Sequence, residues 1–376
     1  MPSYRTTLRH AAVWLAASMA GCGGGGGGGA PASSAPPAPP APPAGNWIAG
    51  SFLPGASHAG RCMSPRSGTD PATGLPYIDI QGTTLDENNW LRSWSNDLYL
   101  WYDEIVDRDP GLYTTATYFD LLKTTATTPS GRPKDRFHFK YPSSEWLALI
   151  QSGEQVGYGA VWSVRSTTNP PEAIVAYVEP DSQAPFAGVR RGDTVTAVDG
   201  IEITSLNTET RWNSFFAGLF PATASERHSL TLLTPLNRAV TTVSLQAATV
   251  TSMPVRTVQP LDTPTGRVGY IQFNDHIATA ESQLIDAFTS LAVLNVSDLI
   301  LDVRYNGGGF LAIASEVAYM IAGAVPTAGR VFEQLQFSDK HRSINPVTGG
   351  ALTPLPFFDT SSSGQPLPTL DLTRVY

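Results

Sequence analysis

Three consecutive glycines lie between an apolar segment and a helical segment, and this arrangement limits the possible folds more than any other feature. Leu299–Val303 predicts a buried strand, Gly307–Gly309 follow it, and Phe310–Ile321 predicts a helix. An earlier strand over Val268–Phe273 and an amphipathic helix over Thr279–Leu294 complete a strand, helix, strand, helix order. Short connections in that order predict a parallel sheet covered by helices.

The glycine-rich turn predicts a site for an anion, because glycine lets the backbone approach a ligand and a helix N-terminus attracts negative charge. One interpretation is a dinucleotide site: Gly307, Gly309 and Ala312 fit G-x-G-x-x-G/A, and Glu333 follows Ala312 by 21 residues. The other is an oxyanion hole for acyl transfer. Pro326 interrupts the crossover to Glu333, and the export signal described next also favours the oxyanion hole.

Residues 1–22 predict a bacterial lipoprotein signal peptide. Two arginines precede the ten apolar residues Ala11–Ala20, and Cys22 follows Met19 and two small residues. Ten residues of helix span about 15 Å, half of a ~30 Å hydrocarbon core, which excludes a transmembrane helix. Cys22 is therefore the predicted lipidation site, and Gly23 after it favours the outer membrane, facing the periplasm.

Residues 23–46 predict a disordered tether, because their glycine, alanine, serine and proline cannot bury a core. They hold a large share of the 34 glycines and 31 prolines of the chain. Beyond the tether only one cysteine remains, Cys62, and we expect it to be a thiol without a partner.

The charge balance excludes several partners. The chain of 376 residues has a net charge of −8 and contains four lysines. Proteins that bind nucleic acid neutralise phosphates with clustered lysine and arginine. We therefore expect no nucleic-acid partner, and contact with the membrane only through the lipid anchor.

Residues 47–152 predict a helical N-terminal region. The first helix is expected behind an N-cap at Asp86, from an apolar face with helical spacing formed by Trp90, Trp94, Leu98, Trp101 and Ile105. Further helices are expected over Thr117–Thr125 and Ser143–Ser152.

Residues 153–250 predict a compact β domain. Strands are expected over Val156–Val164, Glu172–Val178, Thr194–Val198, Ile201–Ile203, Ser229–Leu233 and Val240–Leu245, with a helix over Asn207–Phe220. The motifs Ala187-Gly188-Val189, Gly192-Asp193 and Val198-Asp199-Gly200 closely resemble a PDZ domain of the bacterial protease type.

The PDZ resemblance implies a groove in which an extended peptide adds to a sheet edge and backbone amides bind its terminal carboxylate. By position, the carboxylate-binding loop consists of Val156, Gly157, Tyr158 and Gly159. A plain β-turn is the alternative interpretation of these glycines.

The order of these parts resembles the carboxyl-terminal processing, or tail-specific, serine peptidases. The resemblance is carried by Gly269–Phe273, the run Leu299–Gly309 and the PDZ-like region before them. It implies an α+β multidomain fold, in which residues 251–376 form an incomplete, tricorn-core-like serine peptidase domain with a parallel sheet. It further implies that the PDZ groove binds unfolded or C-terminally tagged protein substrates, and that no cofactor or metal takes part.

The same resemblance assigns roles to individual residues. A glycine of the loop supplies an oxyanion donor, which corresponds to Gly308, with Gly307 as the near alternative, and Asp302 and Arg304 correspond to residues that support the loop. The family's nucleophilic serine and its lysine base follow later, and we expect Leu370–Tyr376 to be the strand that leads to the serine. The chain is therefore expected to be truncated before its nucleophile and inactive alone.

Other residues of the chain are poor substitutes for that pair. Ser315 falls inside a predicted helix, without the exposed turn that presents a nucleophile. A lysine base needs burial in an apolar pocket, whereas the four lysines have polar neighbours. We expect His138, His228, His276 and His341 to lie at the surface or in hydrogen bonds.

A protein of another class remains as the alternative. In it, the PDZ groove belongs to a non-catalytic envelope lipoprotein that binds peptides or protein C-termini.

Overall fold

A computed structural model describes residues 47–70, 73–165 and 168–376. The predicted signal peptide, lipidation site and tether lie outside these residues. The described chain divides into two compact units, the first formed by residues 47–146 with Pro326–Gln365 and the second by Leu147–Val325 with Pro366–Tyr376. Within the described ranges, no helix is both long and apolar enough to cross a membrane. The predicted domain limits stay predictions.

The helices are α1 (Thr84–Leu98), α2 (Thr115–Phe119), α3 (Ser143–Ser152), α4 (Gln183–Phe186), α5 (Glu209–Leu219), α6 (Ala280–Val293), α7 (Leu311–Ala322) and α8 (Ala324–Thr327). The strands are β1 (Arg61–Cys62), β2 (Ile80–Gln81), β3 (Glu154–Gly157), β4 (Ala160–Arg165), β5 (Glu172–Val178), β6 (Thr194–Val198), β7 (Ile201–Glu202), β8 (Arg227–Leu233), β9 (Val240–Gln246), β10 (Ala248–Thr251), β11 (Val255–Thr263), β12 (Gly266–Phe273), β13 (Asp298–Asp302), β14 (Val331–Glu333) and β15 (Leu355–Pro356).

In the first unit, α1 begins with a capping box. The Thr83 hydroxyl accepts from the amide of Asp86, and the Asp86 carboxylate accepts from the amide of Thr83 at 2.9 Å. The prediction of Asp86 as the N-cap is therefore wrong, because Asp86 is the third helical residue. The helix also ends at Leu98, since Tyr99 is extended, so Trp101 lies beyond it.

Cys62 is not the unpaired thiol that the sequence predicted. Its side chain is fully buried, and its sulfur takes part in a disulfide bond. The expectation of an unpaired thiol at this position is wrong.

The second unit contains a six-stranded antiparallel sheet over the PDZ-like region. The strand order is β4-β5-β6-β8-β9, with β7 paired to β6, so β4 has a neighbour on one side only among the described strands. Helix α5 packs on the sheet through Phe215 and Leu219. Next to this sheet in sequence, β3 pairs with β10.

A second sheet in this unit has the order β11-β12-β13. Strands β12 and β13 are parallel, as predicted, whereas the antiparallel edge strand β11 was not predicted. Val375 forms a parallel bridge to Leu299 of β13, so the last residues extend the sheet. Its core packs α6 and α7 against β12 and β13 through Ile271, Phe273, Leu284, Phe288, Leu291, Leu299, Ile313 and Val317. This mixture of helices and sheets confirms the predicted fold class.

Candidate active site

The glycine loop lies at the carboxyl end of β13, directly before α7. Gly308 and Gly309 have φ angles of +99° and +134°, which L-residues rarely adopt. A Cβ on Gly309 would lie 2.5 Å from the carbonyl oxygen of His276, whereas a Cβ on Gly307 would meet open space. Contact with the segment after β12 therefore fixes the shape of the loop.

The side chain of Asn306 holds the loop together. Its Oδ1 accepts from the Gly308 amide at 2.8 Å and lies 2.9 Å from His276 Nδ1. Its Nδ2 donates to the carbonyl of Phe273 at 3.0 Å. One amide group thus connects the glycine loop to the end of β12.

The amides of the loop differ in availability. The Gly308 N–H, the predicted oxyanion donor, is already bonded to Asn306. Among the described residues, no acceptor bonds to the N–H groups of Gly307 and Gly309, and both glycines are exposed. The positive end of the α7 dipole lies beside them. Gly307, the predicted alternative, is therefore the better placed donor in this conformation.

His276 lies against the loop, although the sequence predicted no special place for it. Its amide donates to the Gly308 carbonyl at 3.0 Å, and its own carbonyl accepts from Phe310 at 2.8 Å. Burial lowers the pKa of the imidazole, which favours the neutral ring. Because Asn306 Oδ1 is an acceptor, the ring carries its proton on Nδ1 and leaves Nε2 as an acceptor.

The other three histidines follow the expectation. His138 bonds to the carbonyl of Phe119 at 2.7 Å, while His228 and His341 bond to Asp199 and Asp97.

Asp302 and Arg304 pair with each other at the end of β13. Arg304 reaches both carboxylate oxygens of Asp302, with the shortest distance at 2.6 Å, and the Tyr270 hydroxyl donates to the same group at 2.7 Å. These bonds hold the pKa of Asp302 well below its usual range. None of these bonds reaches a loop glycine, so the pair supports the strand from which the loop leaves.

Tyr305 connects the glycine loop to the PDZ-like sheet of the same unit. Its hydroxyl accepts from Arg191 at 3.0 Å, and its ring packs on Tyr177 of β5 with centroids 5.3 Å apart. Arg191 also donates to the carbonyl of Ala176 at 3.1 Å. The residue directly before Asn306 therefore rests on the PDZ-like sheet.

Two carboxyl groups, one buried and one half-buried, lie near this contact. Glu179 pairs with Arg256 at 2.7 Å, and burial raises its pKa although the guanidinium opposes the shift. Asp275, next to His276, has its pKa raised to about 6 by burial and by the nearby charge of Glu179.

The predicted carboxylate-binding loop runs between β3 and β4. Gly159 has a φ of +79°, and any Cβ on it would overlap the Ser182 hydroxyl. The N–H groups of Tyr158 and Gly159 have no acceptor among the described residues. Two adjacent N–H groups without an acceptor are typical of anion-binding loops. Both residues are buried, however, so binding of a carboxylate here stays a prediction.

Tyr158 and Val156 of this loop make their contacts within the protein. Tyr158 is buried and donates its hydroxyl to the carbonyl of Gly218 at 2.8 Å. Val156 pairs with Thr249 in the β3–β10 ladder. The binding predicted for this loop therefore depends on its backbone.

Ser315 and the lysines remain poor catalytic candidates. Ser315 is 0% exposed inside α7, where a substrate has no access to it. Lys134 pairs with Glu104, and Lys140 with Asp120, in the first unit. Burial lowers the pKa of Lys340, but its ammonium group lies 3.6 Å from the Tyr102 ring centroid, which favours the charged form.

Comparison with known proteins identifies the glycine-loop region. Residues 267–352 match the model of peptidase family S41. This part of the chain is homologous to peptidase family S41. The match covers β12, α6, β13, the glycine loop and α7, and it favours the oxyanion hole over the dinucleotide site.

Relatives of known name support the same assignment. A carboxyl-terminal-processing protease of Picosynechococcus sp. is 30% identical over 173 residues, covering 46% of this chain and 40% of that protein. A chloroplastic C-terminal processing peptidase of Tetradesmus obliquus is 28% identical over 160 residues, covering 40% of this chain and 33% of that protein. The chain is thus a homologue of carboxyl-terminal-processing proteases, which confirms the resemblance, and it spans well under half the length of these relatives.

A solved S41 protease from Bacteroides fragilis is also similar. It is 19% identical, with a TM-score of 0.45, over 76% of this chain and 70% of that chain.

Replacing Gly309 tests the steric origin of the S41 loop shape. Gly309→Ala is expected to lower the free energy of unfolding by about 1–3 kcal/mol, because its φ and the His276 carbonyl both exclude a Cβ. Gly307→Ala, with room for a methyl group, is the matched control and should change stability by less than about 1 kcal/mol. Urea unfolding measures the free energy of unfolding of both variants. Equal losses of stability would contradict the steric explanation of the loop conformation.

The raised pKa of Asp275 predicts a pH-dependent stability. Since the folded pKa of about 6 exceeds the ordinary aspartate pKa of 3.8, the charged group costs stability above pH 6, and this cost disappears as the pH falls toward 4. Asp275→Asn should therefore raise the free energy of unfolding at pH 7.5 by on the order of 2 kcal/mol, and much less at pH 4.5. Exposed Asp286→Asn is the control, and a gain that does not depend on pH would refute the assignment.

Proposed function

We propose that the chain carries the oxyanion-binding and tail-binding parts of a carboxyl-terminal processing serine peptidase. The observation that carries the proposal is the pairing of two anion-binding backbone loops in one compact unit. The exposed amides of Gly307 and Gly309, which have no acceptor, suit the oxyanion of a tetrahedral intermediate. The amides of Tyr158 and Gly159 also have no acceptor, and in this proposal they bind a substrate carboxylate.

The proposed chemistry divides between recognition and catalysis. A protein substrate adds its extended C-terminal tail to the open edge of β4, with its carboxylate at the Tyr158 and Gly159 amides. At the scissile bond, attack by a serine oxygen places negative charge on the carbonyl oxygen, which the Gly307 amide stabilises. The family resemblance also implies a serine nucleophile and a lysine base, and the proposal gives these two roles to no residue of this chain.

Asp302 and Arg304 have a supporting part in this proposal. Their charge-assisted bonds fix the end of β13 and therefore the starting point of the glycine loop. Gly308 supports the loop in the same way through Asn306 in the present conformation, and its amide becomes a second donor once that bond is released.

Peptide binding tests the proposal directly. A peptide with a free, apolar C-terminal residue is expected to bind at least about tenfold more tightly than the same peptide with a terminal amide, because only the acid carries the charge that the open amides bind. Fluorescence anisotropy with labelled peptides measures both affinities.

Variants sharpen the same measurement. Gly159→Ala should remove the preference for the acid, because a Cβ overlaps Ser182 and moves the loop. Gly55→Ala, in the first unit with ordinary φ and room for a methyl group, is the control that should keep the preference. Equal binding of acid and amide by the wild-type chain would overturn the proposal.

We also propose that the chain is exported to the bacterial cell envelope and anchored to the outer membrane through Cys22. The support is the sequence of residues 1–22, with arginines, an apolar segment and small residues before the cysteine. Mass spectrometry of the membrane fraction should find a diacylglyceryl group on Cys22. Because the chain has only two cysteines and Cys62 is disulfide-bonded, lipidation of Cys22 requires Cys62 to pair with a cysteine of another chain. A non-reducing peptide map joining Cys22 to Cys62 would therefore contradict lipidation.

A further inference from the structure

Arg191 carries a positive charge that no carboxylate of the described residues balances. The residue is exposed, and within the described part of the chain its side chain donates only to neutral oxygens. These are the Ala176 carbonyl at 3.1 Å and the Tyr305 hydroxyl at 3.0 Å. Both bonds use the Nε and Nη2 groups, and Nη1 has no acceptor among the same residues. One edge of the guanidinium group is therefore open to a ligand.

Two other arginines of this unit are neutralised, in contrast to Arg191. Arg256 bonds to Glu179 at 2.7 Å, and Arg304 bonds to Asp302 at 2.6 Å. Both carboxylates are buried, so each is committed to its own arginine. The exposed charge of Arg191 is thus a local exception in a chain with a net charge of −8.

The position of the Arg191 guanidinium is fixed by its two acceptors. The ring of Tyr305 packs on Tyr177 with centroids 5.3 Å apart, which holds the hydroxyl in place. Ala176 has no partner in β4, because the β4–β5 ladder is irregular there, and its carbonyl accepts from Arg191 instead. A side chain that is already ordered loses little entropy when it binds a ligand.

Arg191 lies between the two loops that the proposed function uses. Tyr305 is two residues before Gly307, whose exposed amide has no acceptor among the described residues. Ala176 belongs to β5, which pairs with β4, the strand that begins directly after Gly159. A substrate that ends at Gly159 and reaches the glycine loop with its scissile bond therefore passes Arg191.

We propose that Arg191 binds an acidic side chain of the substrate, a glutamate or aspartate between the C-terminal tail and the scissile bond. This inference rests on the proposed function, because that function places the substrate across both loops. A guanidinium group binds a carboxylate through charge-assisted hydrogen bonds, and its planar shape suits that group better than an ammonium does. The exposed amides of Gly307 and Gly309 and the N-terminus of α7 add partial positive charge nearby.

The test compares two peptides that share one apolar C-terminal end. Six consecutive residues, from the third-last to the eighth-last, are all glutamate in one peptide and all glutamine in the other. Each is made as the free acid and as the amide, and fluorescence anisotropy measures its affinity for the full chain. The glutamate acid is expected to bind about fivefold more tightly than the glutamine acid, as one exposed ion pair allows. Because the chain is acidic, a general effect of charge would act in the opposite direction.

Arginine variants assign the preference for glutamate to one side chain. Arg191→Gln should reduce the preference to less than twofold, whereas Arg191→Lys, which keeps the charge, should keep at least a twofold preference. Arg267→Gln is the matched control and should keep the fivefold preference. Arg267 is exposed and bonds to Asp262 at 2.8 Å, at the opposite end of β12 from the glycine loop. Circular dichroism checks that each variant is folded.

The outcomes separate this inference from the function on which it rests. If the acids bind more tightly than the amides but the glutamate and glutamine acids bind equally, the inference is overturned and the proposed function stands. If Arg191→Gln and Arg267→Gln reduce the preference equally, the preference is a general effect of charge and the inference is likewise overturned. If the acid and the amide of the glutamine peptide bind equally, the proposed function itself fails.

Discussion

The buried ion pair of Glu179 and Arg256 is the contact on which both loops of the second unit depend. The Glu179 side chain is 3% exposed, and leaving either charge unpaired at such a site costs several kcal/mol. Glu179 follows β5 and donates its amide to the carbonyl of Gly159 at 2.6 Å, while Arg256 belongs to β11 and donates to the carbonyl of Val178. The pair therefore joins the loop at Tyr158 and Gly159 to the sheet whose next strands lead to the glycine loop.

The anion binding proposed for both loops uses backbone amides, which suits an acidic chain with few lysines. Amide N–H groups carry partial charges at fixed positions, so they need no mobile side chain to be ordered when a ligand arrives. The carboxyl groups of buried Glu179 and half-buried Asp275 oppose further negative charge in this region. Arg256 offsets part of that field, while burial, followed by the charge of Glu179, raises the pKa of Asp275.

Local sequence patterns predicted several helices and strands well, but they did not predict contacts between residues distant in sequence. The bounds of α3, β5 and β6 match the prediction because helical and alternating patterns are encoded in adjacent residues. Strand β11 was missed, since Pro260 and the polar residues around it lack a clear apolar alternation. The role of Asn306 and the place of His276 depend on contacts across about 30 residues, which no local spacing reveals. The one sequence signal for the role of Asn306 was its position directly before three glycines.

Glycine is required in the two loops because different neighbouring atoms exclude a Cβ in each. These contacts also fix the orientation of the amide N–H groups that have no acceptor. Gly159 is confined by the hydroxyl of Ser182, and Gly309 by the backbone of His276. In each case the confining atom belongs to a different segment of the same unit, so the loop conformation is imposed from outside. An amide held in this way is oriented before an anion arrives and loses little entropy on binding it. The same contacts exclude any side chain at Gly159 and Gly309. At Gly307 a side chain would meet open space, so the relevant feature of this residue is its exposed amide.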